Sequence, residues 1–143
     1  MTVKQISIFL ENKPGKLAEV TDVLAENRIN LRALSLAEAS DFGIVRIIVD
    51  DVYNASTVLK DADYVISINK VLAVTVPDSP GGLAKVIHVL GSNGVNVEYM
   101  YGFTAQKKGM ANMIFRVEDN QKAIDALMKE GIRPVCQEEL ENL

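Results

Sequence analysis

Two short loops carry the chemistry that this sequence offers: Asn12-Lys13-Pro14-Gly15-Lys16-Leu17 and Asp78-Ser79-Pro80-Gly81-Gly82-Leu83. In each, an Asx residue and a Pro-Gly pair stand where a polar turn runs into an apolar stripe of helical period, so the loop opens a helix. A helix N-terminus presents unpaired N–H groups and roughly half a positive charge, which suits a carboxylate. The Asn12 or Asp78 side chain offers an oxygen to an ammonium group. Together these groups match a zwitterion, and the same residues also serve as ordinary turn and cap formers. Gly82 stands where the first loop has Lys16, which predicts closer ligand approach to the second backbone and makes the Asp78 loop the stronger candidate.

The other reactive residues are isolated. His88 lies one position off the Leu83, Val86, Ile87, Leu90 stripe and reads as a partly solvated helix residue. Cys136, the single cysteine, has no histidine near it in sequence and reads as an inert thiol of a reducing compartment. Glu138-Glu139-Leu140-Glu141 reads as a solvated or frayed acidic end. No His/Cys, paired-carboxylate or metal-ligand cluster recurs in the sequence, so no enzyme activity, metal or cofactor is expected. Tyr99, Tyr101 and Phe103 alternate where the first copy has Ala33, Ser35 and Ala37, and they serve as sheet packing or as a pocket wall.

The loops are copies because the chain is a tandem duplication. Pro14, Gly15, Leu17, Ala18, Val20, Leu24 and Asn30 recur as Pro80, Gly81, Leu83, Ala84, Val86, Leu90 and Asn96 at a constant spacing of 66 residues. In the first copy, Val3 to Leu10 alternate as a strand, and Leu17, Val20 and Leu24 make a helix stripe. Asn30–Ala39 and Ile44–Val49 form a hairpin, Asn54 caps a second helix, and Tyr64–Ile68 is a further strand. The second copy repeats the order, ending in a strand over Arg133–Gln137. Its two-residue offset after the third strand is placed in the loop before the second helix. The fold class is therefore α+β, two ferredoxin-like βαββαβ units over residues 1–69 and 70–143, with antiparallel sheets and both helices of a unit on one face. Only Asn69-Lys70 joins the copies, so no flexible linker separates them.

Composition narrows the function. The chain has 143 residues, is 48% hydrophobic and 24% charged, and has a net charge of −4. With no basic stripe there is no expected nucleic-acid partner, and with only strand-sized apolar runs and no leader pattern the chain reads as cytoplasmic, without a membrane partner. The ferredoxin-like topology also hosts RNA readers, metal carriers and acylphosphatases. The first strands lack aromatic platforms, and the loops lack Cys-x-x-Cys or an Arg cradle, so none of these fits.

The pattern of strand, Asn/Asp-x-Pro-Gly-x-Leu-Ala-x-Val helix, then Ile29-Asn30-Leu31 or Val95-Asn96-Val97, resembles the ACT domain and covers the chain twice. The resemblance implies a regulatory module without a catalytic domain that binds an amino acid at the interface of ACT units. It implies ligand-facing positions at Asn12, Pro14, Gly15, Lys16, Leu17 and Asn30, and at Asp78, Ser79, Pro80, Gly81, Gly82, Leu83 and Asn96. It also implies regulation in trans, through a homodimer or a regulated enzyme. An assembly module with purely structural loops is the alternative, and a small-molecule enzyme the more distant one. Arg28 departs from the pattern, standing where the second copy has Gly94, so the first helix end is expected to be strained or differently built.

Overall fold

The computed structural model describes residues 1–104 and 107–143. It falls into two compact units, one formed by Lys4–Asn69 and the other by Lys70–Leu143 with Met1–Val3. The first holds β1 (Val3–Glu11), α1 (Lys16–Glu26), β2 (Leu31–Ala39), β3 (Phe42–Val49), α2 (Val52–Asp61) and the start of β4 (Ile66–Pro77). The second holds the rest of β4, then α3 (Gly82–Ser92), β5 (Val97–Thr104), β6 (Met110–Val117), α4 (Asn120–Lys129) and a 3-10 helix, Gln137–Asn142. The fold is α+β, a βαββαβ repeat whose second copy ends in the 3-10 helix in place of a last strand.

In each unit the third strand of the repeat is the middle of the sheet. β3 pairs antiparallel with β1 and β2, and β6 pairs antiparallel with β4 and β5. The strand period sends Ile6, Ile8 and Leu10 to one face, where they meet Val20 and Leu24 of α1 and Ala55 and Leu59 of α2. Leu72, Val74 and Val76 meet Val86, Leu90, Ala123 and Leu127 in the same way. Each unit thus has its own core between one sheet face and two helices.

Several details depart from the sequence-based expectations. The strand expected over Tyr64–Ile68 and the first strand of the second copy are one continuous strand, β4, with no break at Asn69-Lys70. The two extra residues of the second copy lie in the β5–β6 hairpin. Glu38 pairs with Gly43, whereas Thr104 pairs with Ala111, so the longer connection is already present before β6 begins. Asn54 does not cap α2; the Asp51 carboxylate does, accepting the Asn54 N–H at 2.9 Å, and Asp119 caps α4 through Lys122 N–H at 3.1 Å.

Another departure is at the end of the chain. No strand forms over Arg133–Gln137, because Pro134 lacks a donor; one bond, Val135 N–H to the Ala73 carbonyl at 2.8 Å, remains. The acidic residues after it are ordered, not frayed. Glu139 accepts the Cys136 N–H at 2.6 Å and pairs with Arg133 at 2.9 Å, while Leu140 is only 1% exposed. The Cys136 N–H, with the Arg133 guanidinium next, holds the Glu139 carboxyl below its usual range.

All four helices end alike. The residue after each C-cap is left-handed: Arg28 (φ 57), Asp63 (φ 67), Gly94 (φ 67) and Gly131 (φ 71). In α1, Arg28 N–H bonds the Ala25 carbonyl and Ile29 N–H bonds that of Leu24; in α3, Gly94 and Val95 bond Gly91 and Leu90 identically. The first helix end is therefore not differently built. Arg28 is forced into the conformation that Gly94 adopts freely.

Two outcomes follow. Arg28→Gly relieves a left-handed side chain at some cost in unfolded-chain entropy and should stabilise the protein by about 0.5–1 kcal/mol in urea unfolding. Because the Glu139 carboxyl is held low in the folded state, its contribution is present above the ordinary carboxylate range and is lost as pH falls through the folded value. The protection factor of the Leu140 amide, which corrects for the slower intrinsic exchange in acid, should fall on acidification, and Glu139→Ala should give the lowered protection already at neutral pH.

Candidate functional site

The two Pro-Gly loops have the same backbone plan. Gly15 and Gly81 are the N-caps of α1 and α3, both left-handed at φ 87, and neither helix is capped by a side chain. Lys16 N–H reaches back to Lys13, and Gly82 N–H to Ser79. Glu19 N–H and Lys85 N–H bond Gly15 and Gly81. Between these, no hydrogen bond engages the amides of Leu17 and Ala18, or of Leu83 and Ala84, among the described residues. α2 and α4 differ, since Asp51 and Asp119 supply oxygens to their first turns. The loops are exposed, and each is tied to the hairpin tip of its unit: Asn12 donates its N–H to the Asp41 carbonyl and its Nδ2 to the Ser40 carbonyl, and Asp78 donates its N–H to the Gly109 carbonyl.

Gly82 has a different role from the one its sequence position suggests. A Cβ there would fall directly on the Pro77 carbonyl oxygen, so the missing side chain makes room for the chain's own backbone. In the first loop the corresponding carbonyl, that of Glu11, accepts the Lys13 N–H at 2.9 Å instead, and Lys16 is accommodated.

The hollows beside the loops are unequal. Beside the first loop, Asn12, Lys13, Lys16, Leu17, Leu36, Glu38 and Gly43 surround about 70 Å³, the volume of a few waters at most. Beside the second, Asp78, Gly102, Phe103, Lys107, Lys108, Gly109, Met110 and Ala111 surround about 490 Å³, within the range of small-molecule sites. The pairing explains the difference. Leu36 faces Val45 next to Gly43 and lies over it, whereas its counterpart in the second copy is Gly102. The repeat spacing already aligned Leu36 with Gly102, but only the strand register shows that this position lines the hollow.

Asn30 and Asn96 are not brought to the loops. Each follows the far end of an eleven-residue helix, about 16 Å along the axis from the loop at the other end. Asn96 instead lines a separate hollow of about 690 Å³ with Gly94, Glu118, Asp119 and Lys122. Its groups are engaged internally, Asp119 as the α4 cap and Lys122 Nζ with the Gly94 carbonyl at 3.3 Å. That larger hollow is the poorer anion site, because its helix already has a carboxylate.

Electrostatics separate the loops further. Lys13 pairs with Glu11 at 2.8 Å and Lys16 with Glu19 at 3.3 Å. The hydrogen bond to Lys13, more than its charge, lowers the Glu11 pKa, and Glu11 in turn raises that of Lys13. The first loop is thus neutralised by its own residues. Elsewhere, His88 is exposed on α3, and Cys136 Sγ accepts a long 3.5 Å contact from Arg133. No group of three His, Cys, Asp or Glu side chains could hold a metal among the described residues.

A family model described as an ACT domain pair matches residues 1–143. The chain belongs to the ACT domain pair family. The crystal structure of protein BT0572 from Bacteroides thetaiotaomicron shares 43% identity, with a TM-score of 0.92 over 100% of this chain and 98% of that one. The ligand-free regulatory subunit of aspartate kinase from Thermus thermophilus shares the fold at 20% identity and a TM-score of 0.61, over 88% and 91% of the two chains. Aspartate kinase from Synechocystis does so at 20% and 0.60, over 89% of this chain and 24% of that one. No curated protein matches the sequence. Within this ACT pair, Gly102→Leu should fill the second hollow much as Leu36 fills the first. Its added Cβ comes nearest to the flexible Met113 side chain, at 3.3 Å from the sulfur, so the fold should persist while affinity for a ligand on the Asp78 loop falls about tenfold or more in titration calorimetry.

Proposed function

We propose that this ACT pair is a regulatory module that binds a free amino acid on the Asp78–Leu83 loop. The observation that carries the reading is the contrast between helix starts. α2 and α4 are capped by aspartates, while α1 and α3 open on left-handed glycines with two amides unengaged. A ligand carboxylate at Leu83 and Ala84 N–H would complete the α3 cap, and Asp78 would take the ammonium group. Pro80 and Gly81 set the turn, and Ser79 and Gly82 form its backbone bond. The Asn12–Leu17 loop has the same plan but little room, so it is the weaker site. Asn96, beyond the far end of α3, would not reach such a ligand within its own unit, so an asparagine at the site would come from another ACT unit.

The module acts on its partner, a second copy or an enzyme in the cytoplasm, through differential affinity for two states, and not by catalysis. The aspartate kinase subunit from Thermus thermophilus is named as regulatory, which is consistent with this reading. No helix among the described residues is long and apolar enough to cross a bilayer. A ligand-independent assembly role is favoured by one observation: Leu36 is 54% exposed on β2, and Phe9 and Phe42 are also exposed.

A thermal-shift screen of the proteinogenic amino acids at millimolar concentration separates the two. Binding at 100-fold excess over Kd should add about 2.7 kcal/mol of stability. Unchanged melting with every amino acid, together with an unchanged oligomeric state, would favour assembly alone.

A further inference from the structure

We infer that the second loop selects an amino acid whose side chain carries a negative charge, with Lys107 and Lys108 as its specificity determinants. The inference rests on the reading of the Asp78 loop as an amino-acid site. Lys107-Lys108 is the only adjacent pair of basic residues in a chain of net charge −4. It stands at the wall of the 490 Å³ hollow that also contains Asp78 and Phe103. The hairpin tip that carries the lysines is held against the loop by the Asp78 N–H to Gly109 carbonyl bond at 2.9 Å, and its turn is closed by Met110 N–H to the Lys107 carbonyl at 3.2 Å. Neither lysine forms an ion pair among the described residues. Both lysines therefore line the hollow together with Asp78, but neither is held in an ion pair by a carboxylate.

The first unit shows what the same place looks like without this feature. Its hairpin tip is Ser40-Asp41, its hollow is bordered by Glu11 and Glu38, and its two lysines are held by Glu11 and Glu19. The second copy has exchanged a rim of mutually paired charges for one with two lysines in no ion pair, and has opened the space with Gly102. A ligand held by its α-carboxylate and ammonium at α3 and Asp78 would extend its side chain into this hollow. A second carboxylate or a phosphate ester there gains charge-assisted bonds that an amide or hydroxyl cannot.

The test is calorimetric titration of the whole chain with L-aspartate, L-glutamate and L-phosphoserine against L-asparagine, L-glutamine and L-serine, in wild type and in Lys107→Gln/Lys108→Gln. Wild type should prefer at least one anionic ligand over its neutral counterpart by about tenfold or more, a preference that weakens with added salt. The carboxylate and phosphate arms show which source of charge fits. In the double variant the anionic ligand should fall to the affinity of its neutral counterpart, whose own binding stays unchanged. Equal or tighter binding of the neutral ligands in wild type, or an anionic preference that survives the double substitution, overturns the inference while leaving the amino-acid site intact. No binding of any amino acid overturns both.

Discussion

The structure depends on how the chain leaves a strand and enters a helix at Gly15 and Gly81. A left-handed N-cap turns the backbone sharply enough to lay α1 and α3 across the sheet, and it supplies no side-chain oxygen to the first turn. The helices then rely on their apolar stripes, Val20 with Leu24 and Val86 with Leu90, to stay in place. Two amides per helix have no hydrogen-bond partner among the described residues. The aspartate-capped α2 and α4 show that the fold can satisfy such groups internally. At α1 and α3 a pair of donors therefore faces outward on a frame fixed by core packing.

Duplication made two such frames and divergence made them unlike. The side chain at one strand position, Leu36 or Gly102, decides whether there is space beside the loop. Residues at the hairpin tip, Ser40-Asp41 or Lys107-Lys108, decide the charge of its rim. The exchange of Arg28 for Gly94 alters neither, because both adopt the same left-handed turn and the same pair of hydrogen bonds. Difference in sequence between the copies is thus informative only where the position borders the loop.

Much of this was legible in the residues. The repeat, the switch of period from strand to helix and the Pro-Gly loops specify the βαββαβ order, because each is a local property of consecutive residues. What was not legible depends on pairing across the chain. The two-residue insertion is visible as an offset, but only the Thr104–Ala111 register places it in the hairpin, and with it the lysines beside Asp78. Gly82 looked like access for a ligand because sequence does not show the Pro77 carbonyl beneath it. The acidic end looked solvated because Leu140, one apolar residue among charges, gives no periodic signal, yet its burial and the Arg133–Glu139 pair order the segment. Asn96 aligned with the loop as part of one motif, but a helix of three turns stands between them.

The central claim is that the uncapped first turn of α3 is completed by an amino-acid ligand. Backbone amide NMR during titration with the amino acids tests it most directly. The account predicts that the largest saturable shifts fall on Leu83 and Ala84, with Asp78 and Gly109 following, and that the capped first turn of α4 stays unmoved. Saturable shifts centred on Gly94, Asn96 and Lys122, with Leu83 and Ala84 unchanged, would contradict it.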